Sequence, residues 1–249
     1  MTKRRIRLNL EYLGTRYAGW QWQDNALSIQ QVVEEALQKI TSLKSRVTAS
    51  GRTDAGVHAM SQPAHADVET RMNDGEIVKA MNSLLPDDVV VKGVATVAGD
   101  WSARFNAKEK TYRYTILNRE RPSVFDHGRV WHIKKTLDID AMREAAPALV
   151  GEHDFTSFRA SGCAAKSPVR RLTTLDIKRD DDTIKLTFTA NGFLKQMVRN
   201  IAGTLVEVGK GKIAPGDVST ILAKRDRTKA GPCAPPQGLC LVDVVYDNS

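Results

Sequence analysis

The feature that most constrains the fold is an order of apolar patterns that occurs twice along the chain. Apolar residues at every second position predict strands, and apolar residues at helical spacing predict helices. In the first half, strands are predicted over residues 6–12, 46–50, 57–68 and 88–97, with helices over 29–40 and 74–85. In the second half, strands are predicted over residues 110–117, 170–178, 183–189 and 239–246, with helices over 139–150, 193–208 and 217–224.

Each half therefore reads β-α-β-β-α-β, with the short helix over residues 217–224 as an addition in the second half. This is the order of a ferredoxin-like unit with an antiparallel sheet and helices on one face. We predict an α/β protein of the α+β type. Its two ferredoxin-like halves are residues 1–106 and 107–249, with their sheets side by side and a basic cleft between them. Pro63 predicts an edge strand or a bulge, and Pro147 predicts that its helix ends or kinks there.

The charge of the chain indicates a polyanionic partner. Its 249 residues include 37 Lys and Arg against 29 Asp and Glu, giving a net charge of +8. Residues 165–230 concentrate the excess, with 14 basic and 7 acidic side chains. Solvated lysine faces explain the same numbers equally well, so charge alone does not separate the two explanations.

The cysteines and the N-terminus indicate a reducing compartment. Cys163, Cys233 and Cys240 are odd in number and none belongs to a C-x-x-C pair, so no disulfide framework and no zinc site is predicted. The charged N-terminus is not followed by an apolar signal region, and no stretch of sequence approaches the length of a membrane span. We expect a cytoplasmic protein without a membrane association.

The stretch most informative for chemistry is residues 51–59, GRTDAGVHA. Its two outer glycines permit a sharp turn that presents Arg52 and Asp54, and a carboxylate near a guanidinium stays ionised. From spacing alone, a tight turn with a surface ion pair is the ordinary explanation, because Asp and Gly are common in turns.

This stretch resembles the signature of the tRNA pseudouridine synthase A family. Further blocks resemble that family and occur in its order: residues 102–107 (SARFNA), 110–114 (KTYRY), 153–158 (HDFTSF), 192–201 (GFLKQMVRNI) and 231–239 (GPCAPPQGL). The blocks span nearly the whole chain. Trp101 departs from the pattern, since many members carry Phe there.

The resemblance implies an isomerase that converts uridine to pseudouridine at positions 38, 39 and 40 in the anticodon stem-loop of tRNA. It implies that Asp54 is the catalytic nucleophile, with Arg199 placed against it, and that Tyr112 lies over the target base. Arg52 is a second candidate partner of the carboxylate, or a wedge in the space that the flipped nucleotide leaves. A homodimer is also implied, and no metal or organic cofactor is.

Each of these residues also has a structural explanation. A tyrosine on an alternating strand often packs in a core, and Arg199 fits the solvated face of a helix. Two other function classes are weighed. A non-catalytic RNA-binding protein needs no nucleophile, and a hydrolase or transferase acting on nucleotides lacks support because the sequence has no P-loop, Rossmann glycine pattern or metal-ligand cluster.

Overall fold

The computed structural model describes residues 2–41 and 44–247, and the chain divides into two units. The first unit is Met1–Lys108 together with Leu241–Ser249, and the second is Glu109–Cys240. The C-terminal segment thus falls in the first unit, whereas the sequence pattern assigned it to the second half.

The first unit contains the elements of the first half in the predicted order. They are β1 (Thr2–Tyr12), α1 (Ile29–Thr41), β2 (Thr48–Ala49), β3 (His58–Thr70), α2 (Asp74–Asn82) and β4 (Val89–Val97). The strands follow the order β4-β1-β3, β2 pairs with β3, and the C-terminal strand continues the sheet beyond β3. Helices α1 and α2 contact each other, and each contacts the sheet.

The alternation that predicted β1 also explains the core of this unit. Ile6, Leu8 and Leu10 are fully buried on one face of the strand. Small residues of β3 lie opposite the first two, since Ile6 pairs with Ala66 and Leu8 with Ala64. Large side chains on β1 and small ones on β3 leave room for the helices that cover this face.

Pro63 lies in an interior strand, so the prediction of an edge strand was wrong. β3 has β1 on one side and β2 and the C-terminal strand on the other. The alternative prediction of a bulge is confirmed, because the register shifts between the pairs Leu10–Gln62 and Tyr12–Ala59, beside the proline. Pro63 has no N–H to donate, but its carbonyl accepts a hydrogen bond from Ser50 N at 2.8 Å.

The second unit contains most of the remaining elements. They are β5 (Ala107–Asn118), β6 (Trp131–Ile133), α3 (Ile139–Ala145), β7 (Gly151–Asp154), β8 (Val169–Asp180), β9 (Thr183–Ala190), α4 (Met197–Gly209) and α5 (Asp217–Lys224), and the chain closes with β10 (Leu239–Tyr246). The strands of this unit follow the antiparallel order β5-β9-β8-β7, and β6 runs parallel to β5. The expected mixture of helices and strands is thereby confirmed.

Helix α4 is the centre of the second unit and begins later than predicted. Its residues from Asn200 to Gly209 are all buried. The predicted start at Phe193 was wrong, because Gln196 adopts a left-handed conformation with φ of 59° and ends the preceding loop. Phe193 continues the apolar spacing of the helix, but it lies in the loop before Met197, where the backbone is not helical. Pro147 stops α3 as predicted, since a 3₁₀ turn over Ala146–Leu149 follows that helix.

Candidate active site

The loop that carries Asp54 connects β2 to β3 and is closed by hydrogen bonds at its base. The Gln62 side chain donates to Gly51 O at 2.7 Å and accepts from Ser50 Oγ at 2.7 Å. Within the loop, Val57 N donates to Asp54 O at 3.1 Å, and Gly56 supplies a positive φ of 78°. The turn expected from the two glycines is present, and the Asp54 side chain is half-buried.

Two buried polar contacts fix the residues on either side of Asp54. The Tyr12 hydroxyl and Thr53 Oγ1 are 2.9 Å apart and buried. His58 accepts a hydrogen bond from Gly14 N through its Nδ1 at 2.9 Å, also in a buried position. His58 therefore has a structural role in holding the loop to Gly14.

The segment Leu13–Trp20 supports the loop from outside, and we call it the buttress segment. Trp20 N donates to Thr53 O at 3.0 Å, and Gly56 N donates to Tyr17 O at 3.3 Å. These two hydrogen bonds flank Asp54 on both sides. The backbone of the loop that carries Asp54 is thus held by the backbone of a second loop.

Two glycines of the buttress segment permit this close approach. At Gly19, which has φ of 92°, a Cβ atom would lie 2.5 Å from Thr53 O and 3.0 Å from the carbonyl carbon of Asp54. At Gly14, a Cβ atom would lie 2.0 Å from Val57 O. Any side chain at either position would push the two loops apart. The sequence pattern predicts neither a helix nor a strand over this segment, although its glycines were a usable signal.

Arg52 precedes Asp54 in the same loop and points into solvent. Its side chain is exposed. Both roles that the sequence offers for Arg52, a partner of the Asp54 carboxylate or a wedge in the space left by a flipped nucleotide, stay predictions.

Tyr112 lies on β5 and is largely buried, with 8% of its surface exposed. Its ring meets the ring of Phe193 edge to face, with centroids 5.1 Å apart and an interplanar angle of 87°. Across the sheet it pairs with Phe188 of β9. The strand thus presents Tyr112 from a packed aromatic surface, which suits either a core residue or the wall of a base-binding site.

Arg199 occupies the first turn of α4 and is tied to the segment that follows residue 230. Its Nε donates to Ala234 O at 2.8 Å, and Ala234 N donates to Arg199 O at 3.1 Å. Both interactions use the backbone of Ala234, so the direction of the guanidinium depends on that segment. Arg199 is half-buried. Burial of Tyr114 raises the pKa of its phenol, and the positive charge of Arg199 acts in the opposite direction.

Close backbone contact locks the segment 231–234 onto α4. A Cβ atom at Gly203 would lie 1.7 Å from Pro232 O, and one at Gly231 would lie 2.7 Å from Thr204 Cα. Gly231 N also donates to Thr204 Oγ1 at 2.9 Å. Two of the sequence blocks that resembled the family therefore meet at the helix that carries Arg199.

A third block reaches the same helix. Asn200 Nδ2 donates to Phe158 O at 2.8 Å, and Arg227 donates to Asn200 Oδ1 at 2.9 Å and to Gly231 O at 2.9 Å. Arg227 is one of the basic side chains of residues 165–230, and its guanidinium is thus engaged by the protein itself. Lys224 and Lys229, from the same range, are exposed.

The part of the chain that the structure describes contains neither a metal-binding cluster nor a membrane-spanning helix. No group of three or more His, Cys, Asp or Glu side chains is placed to hold a metal ion there. No described helix is long and apolar enough to cross a bilayer. All three cysteines are free thiols.

Comparison with known proteins gives consistent matches. A family model described as tRNA pseudouridine synthase matches residues 10–106 and 145–247. A protein named tRNA pseudouridine synthase A from a Thermoanaerobacter species is 43% identical over 243 residues, covering 98% of this chain and 100% of that protein. Proteins of the same name from a Caulobacter species and from Rhodospirillum centenum are 44% and 45% identical, covering 98% and 97% of this chain and 98% and 99% of their own lengths. The similarity extends over both units.

Proposed function

The chain belongs to the tRNA pseudouridine synthase family, whose members are isomerases, and we propose that it converts uridine to pseudouridine at positions 38, 39 and 40 in the anticodon stem-loop of tRNA. One observation carries the proposal: in a chain similar to these enzymes over 98% of its length, the GRTDAGVHA loop presents a half-buried carboxylate on a backbone fixed from several sides. A catalytic group must be held in this way to react efficiently.

Asp54 is the nucleophile in this proposal. The reaction breaks the bond from ribose C1′ to uracil N1 and forms a bond from C1′ to C5, with loss of the proton at C5 and gain of one at N1. The atoms of substrate and product are the same and nothing is oxidised, so the reaction requires no cofactor. An ionised carboxylate serves as a covalent nucleophile that divides the exchange into two steps.

Three further side chains bind the substrate in this proposal. A uridine in a helical stem must leave the stack to be modified, and the exposed Arg52 fills the space that it leaves. The ring of Tyr112 lies against uracil, and its hydroxyl assists removal of the C5 proton. Arg199 is a fixed positive charge in the site, supported by its two backbone contacts with Ala234.

The partner and the compartment complete the proposal. Exposed lysines and arginines of residues 165–230, including Lys224 and Lys229, contact the phosphates of tRNA. A homodimer follows from the resemblance to the family. A cytoplasmic location suits three cysteines that are all free thiols.

The decisive experiment replaces Asp54 by Asn. We expect Asp54→Asn to abolish turnover but leave tRNA binding largely intact, because binding is spread over many basic residues whereas the nucleophile is single. Release of tritium from tRNA labelled at uridine C5 measures turnover, and filter binding measures affinity. Asp243→Asn is the matched control, since Asp243 is an exposed aspartate on β10 that does not belong to the GRTDAGVHA loop, and it should retain activity. Residual activity of Asp54→Asn within about tenfold of the wild type, or about 1.4 kcal/mol of barrier, refutes the assignment.

A further inference from the structure

Asp88, between α2 and β4, holds the buttress segment through its side chain and its backbone. Its Oδ1 accepts a hydrogen bond from the Tyr17 hydroxyl at 2.6 Å, and its Oδ2 accepts one from Arg16 Nε at 2.7 Å. Its backbone carbonyl also accepts from Leu13 N at 2.9 Å. Three residues of the buttress segment therefore converge on one aspartate.

The contact with Tyr17 is the more buried of the two side-chain contacts of Asp88. Tyr17 is 3% exposed and the Asp88 side chain 14% exposed, whereas the Arg16 side chain is 66% exposed. An exposed ion pair contributes little, but a short hydrogen bond from a buried phenol to a carboxylate holds its geometry well. Tyr17 is also the residue whose backbone carbonyl accepts a hydrogen bond from Gly56 N in the loop that carries Asp54.

The protonation states of the pair keep this hydrogen bond in place at neutral pH. Burial acts to raise the pKa of Asp88, but hydrogen bonds from Arg16 and Tyr17 outweigh it and hold the pKa below its ordinary value. Burial, and then the hydrogen bond to Asp88, raise the pKa of Tyr17. The carboxylate is therefore ionised and the phenol protonated, which is the combination that a charge-assisted hydrogen bond needs.

We propose that Asp88 is a positioning residue for the reaction: through Tyr17 it fixes the buttress segment, and through that segment it fixes the backbone on both sides of Asp54. The proposal rests on the proposed function, because it assumes that Asp54 reacts with the substrate. Asp88 does not touch the substrate in this proposal. Its effect passes along the chain Asp88–Tyr17–Gly56, with the contact between Trp20 and Thr53 as a second support.

The test compares Tyr17→Phe, Asp88→Asn and the double variant. Tyr17→Phe removes only the hydroxyl and keeps the buried ring, while Asp88→Asn keeps the size of the side chain and removes its charge. We expect each to slow the single-turnover rate by about tenfold to a hundredfold, as displacement of a reacting group does, with unchanged tRNA affinity. The double variant should be no slower than the slower single variant, because Tyr17→Phe removes the hydrogen bond that Asp88→Asn weakens.

Amide hydrogen exchange separates positioning from general loss of stability. In the variants, exchange should become faster at Gly56 and Trp20, whose N–H groups join the two loops, and stay unchanged at Ile6 and Leu8 in the core of β1. Asp67→Asn is the matched control: Asp67 is an aspartate of the same unit paired with Arg5 at 2.8 Å, and this change should leave the rate unaffected.

Three outcomes overturn the proposal. They are wild-type rates in both single variants, additive losses in the double variant, and losses that accompany faster exchange throughout β1. The failure of the proposed function is recognised separately, since it requires that Asp54→Asn remain active. An inactive Asp54→Asn together with additive losses at Tyr17 and Asp88 rejects only the positioning role.

Discussion

Tyr112 offers a prediction in which the structure sets the size of two separate effects. The residue is 8% exposed, faces Phe193 edge to face at 5.1 Å and pairs with Phe188 across the sheet. Tyr112→Phe keeps these ring contacts and removes the hydroxyl, whereas Tyr112→Ala removes both. The ring and the hydroxyl can therefore be examined independently.

Burial makes the alanine variant costly for folding. Truncating a buried aromatic side chain lowers the free energy of unfolding by about 3–5 kcal/mol. An edge-to-face ring pair accounts for about 0.5–1.5 kcal/mol beyond the buried area. Loss of the hydroxyl alone changes the free energy of unfolding by about 1 kcal/mol. We therefore expect Tyr112→Ala to be much less stable than Tyr112→Phe.

The assay pairs single-turnover formation of pseudouridine with tRNA binding and urea unfolding, at a temperature where every variant is folded. We expect Tyr112→Phe to bind tRNA normally and to stall after the glycosidic bond is remade, because the proton at C5 is not removed. Tyr112→Ala should lose activity and also engage the base less well. Tyr114→Phe is the matched control on the same strand: it loses its hydrogen bond to Pro235 O and some stability, without a stall.

Two results would contradict this reasoning in different ways. If Tyr112→Phe turns over like the wild type, the hydroxyl does not remove the proton and only the ring contact remains. If folded Tyr112→Ala also turns over like the wild type and only its stability falls, Tyr112 is a core residue and does not belong to the site.

Two further predictions concern charge. The logarithm of tRNA affinity should fall steeply with the logarithm of salt concentration. Lys224→Ala and Lys229→Ala should each reduce that slope by about 0.7–0.9, whereas Lys39→Ala on α1 should leave it unchanged. A flat plot would show that the basic residues of 165–230 do not contact the phosphates of tRNA. Glu207 accepts from Lys210 and Lys212 at 2.9 Å each; burial acts to raise its pKa, but these contacts lower it below the ordinary 4.5. The stability that ionised Glu207 contributes is present above pH 4.5 and is lost as the pH falls through its lower pKa in the folded protein. In urea unfolding, Glu207→Gln should therefore have a lower free energy of unfolding than the wild type at about pH 7, and the difference should disappear in acid. An equal difference at both pH values contradicts this.

The strands could be predicted from the sequence because their alternation is a local pattern. Ile6, Leu8 and Leu10 are buried by the sheet that they help to form, so the pattern and the structure have one cause. The same holds for α2, where Asn73 and Glu76 form the reciprocal cap that starts the helix.

Predictions failed where an element boundary depends on one backbone conformation. Phe193 belongs to the apolar stripe of α4, but the left-handed Gln196 separates it from the helix, and hydrophobic spacing does not record that angle. Pro63 argued against an interior strand because it cannot donate. The strand accommodates it beside a bulge, and its carbonyl still accepts from Ser50 N.

In the candidate site, too, a residue could be predicted where its neighbours in sequence indicate its role, and not where its role depends on a distant partner. Asp54 could be singled out because its neighbours in sequence form a recognisable block, whereas Asp88 is 71 residues from Tyr17 and nothing near it indicates a partner. The frame around Asp54 is built largely from backbone groups, which every residue has, and from the missing side chains of Gly14 and Gly19. In the sequence, the glycines are the only sign of this supporting frame. It follows that replacing either glycine by alanine should disturb the position of Asp54 as much as removing a polar side chain does, although neither glycine can take part in the chemistry.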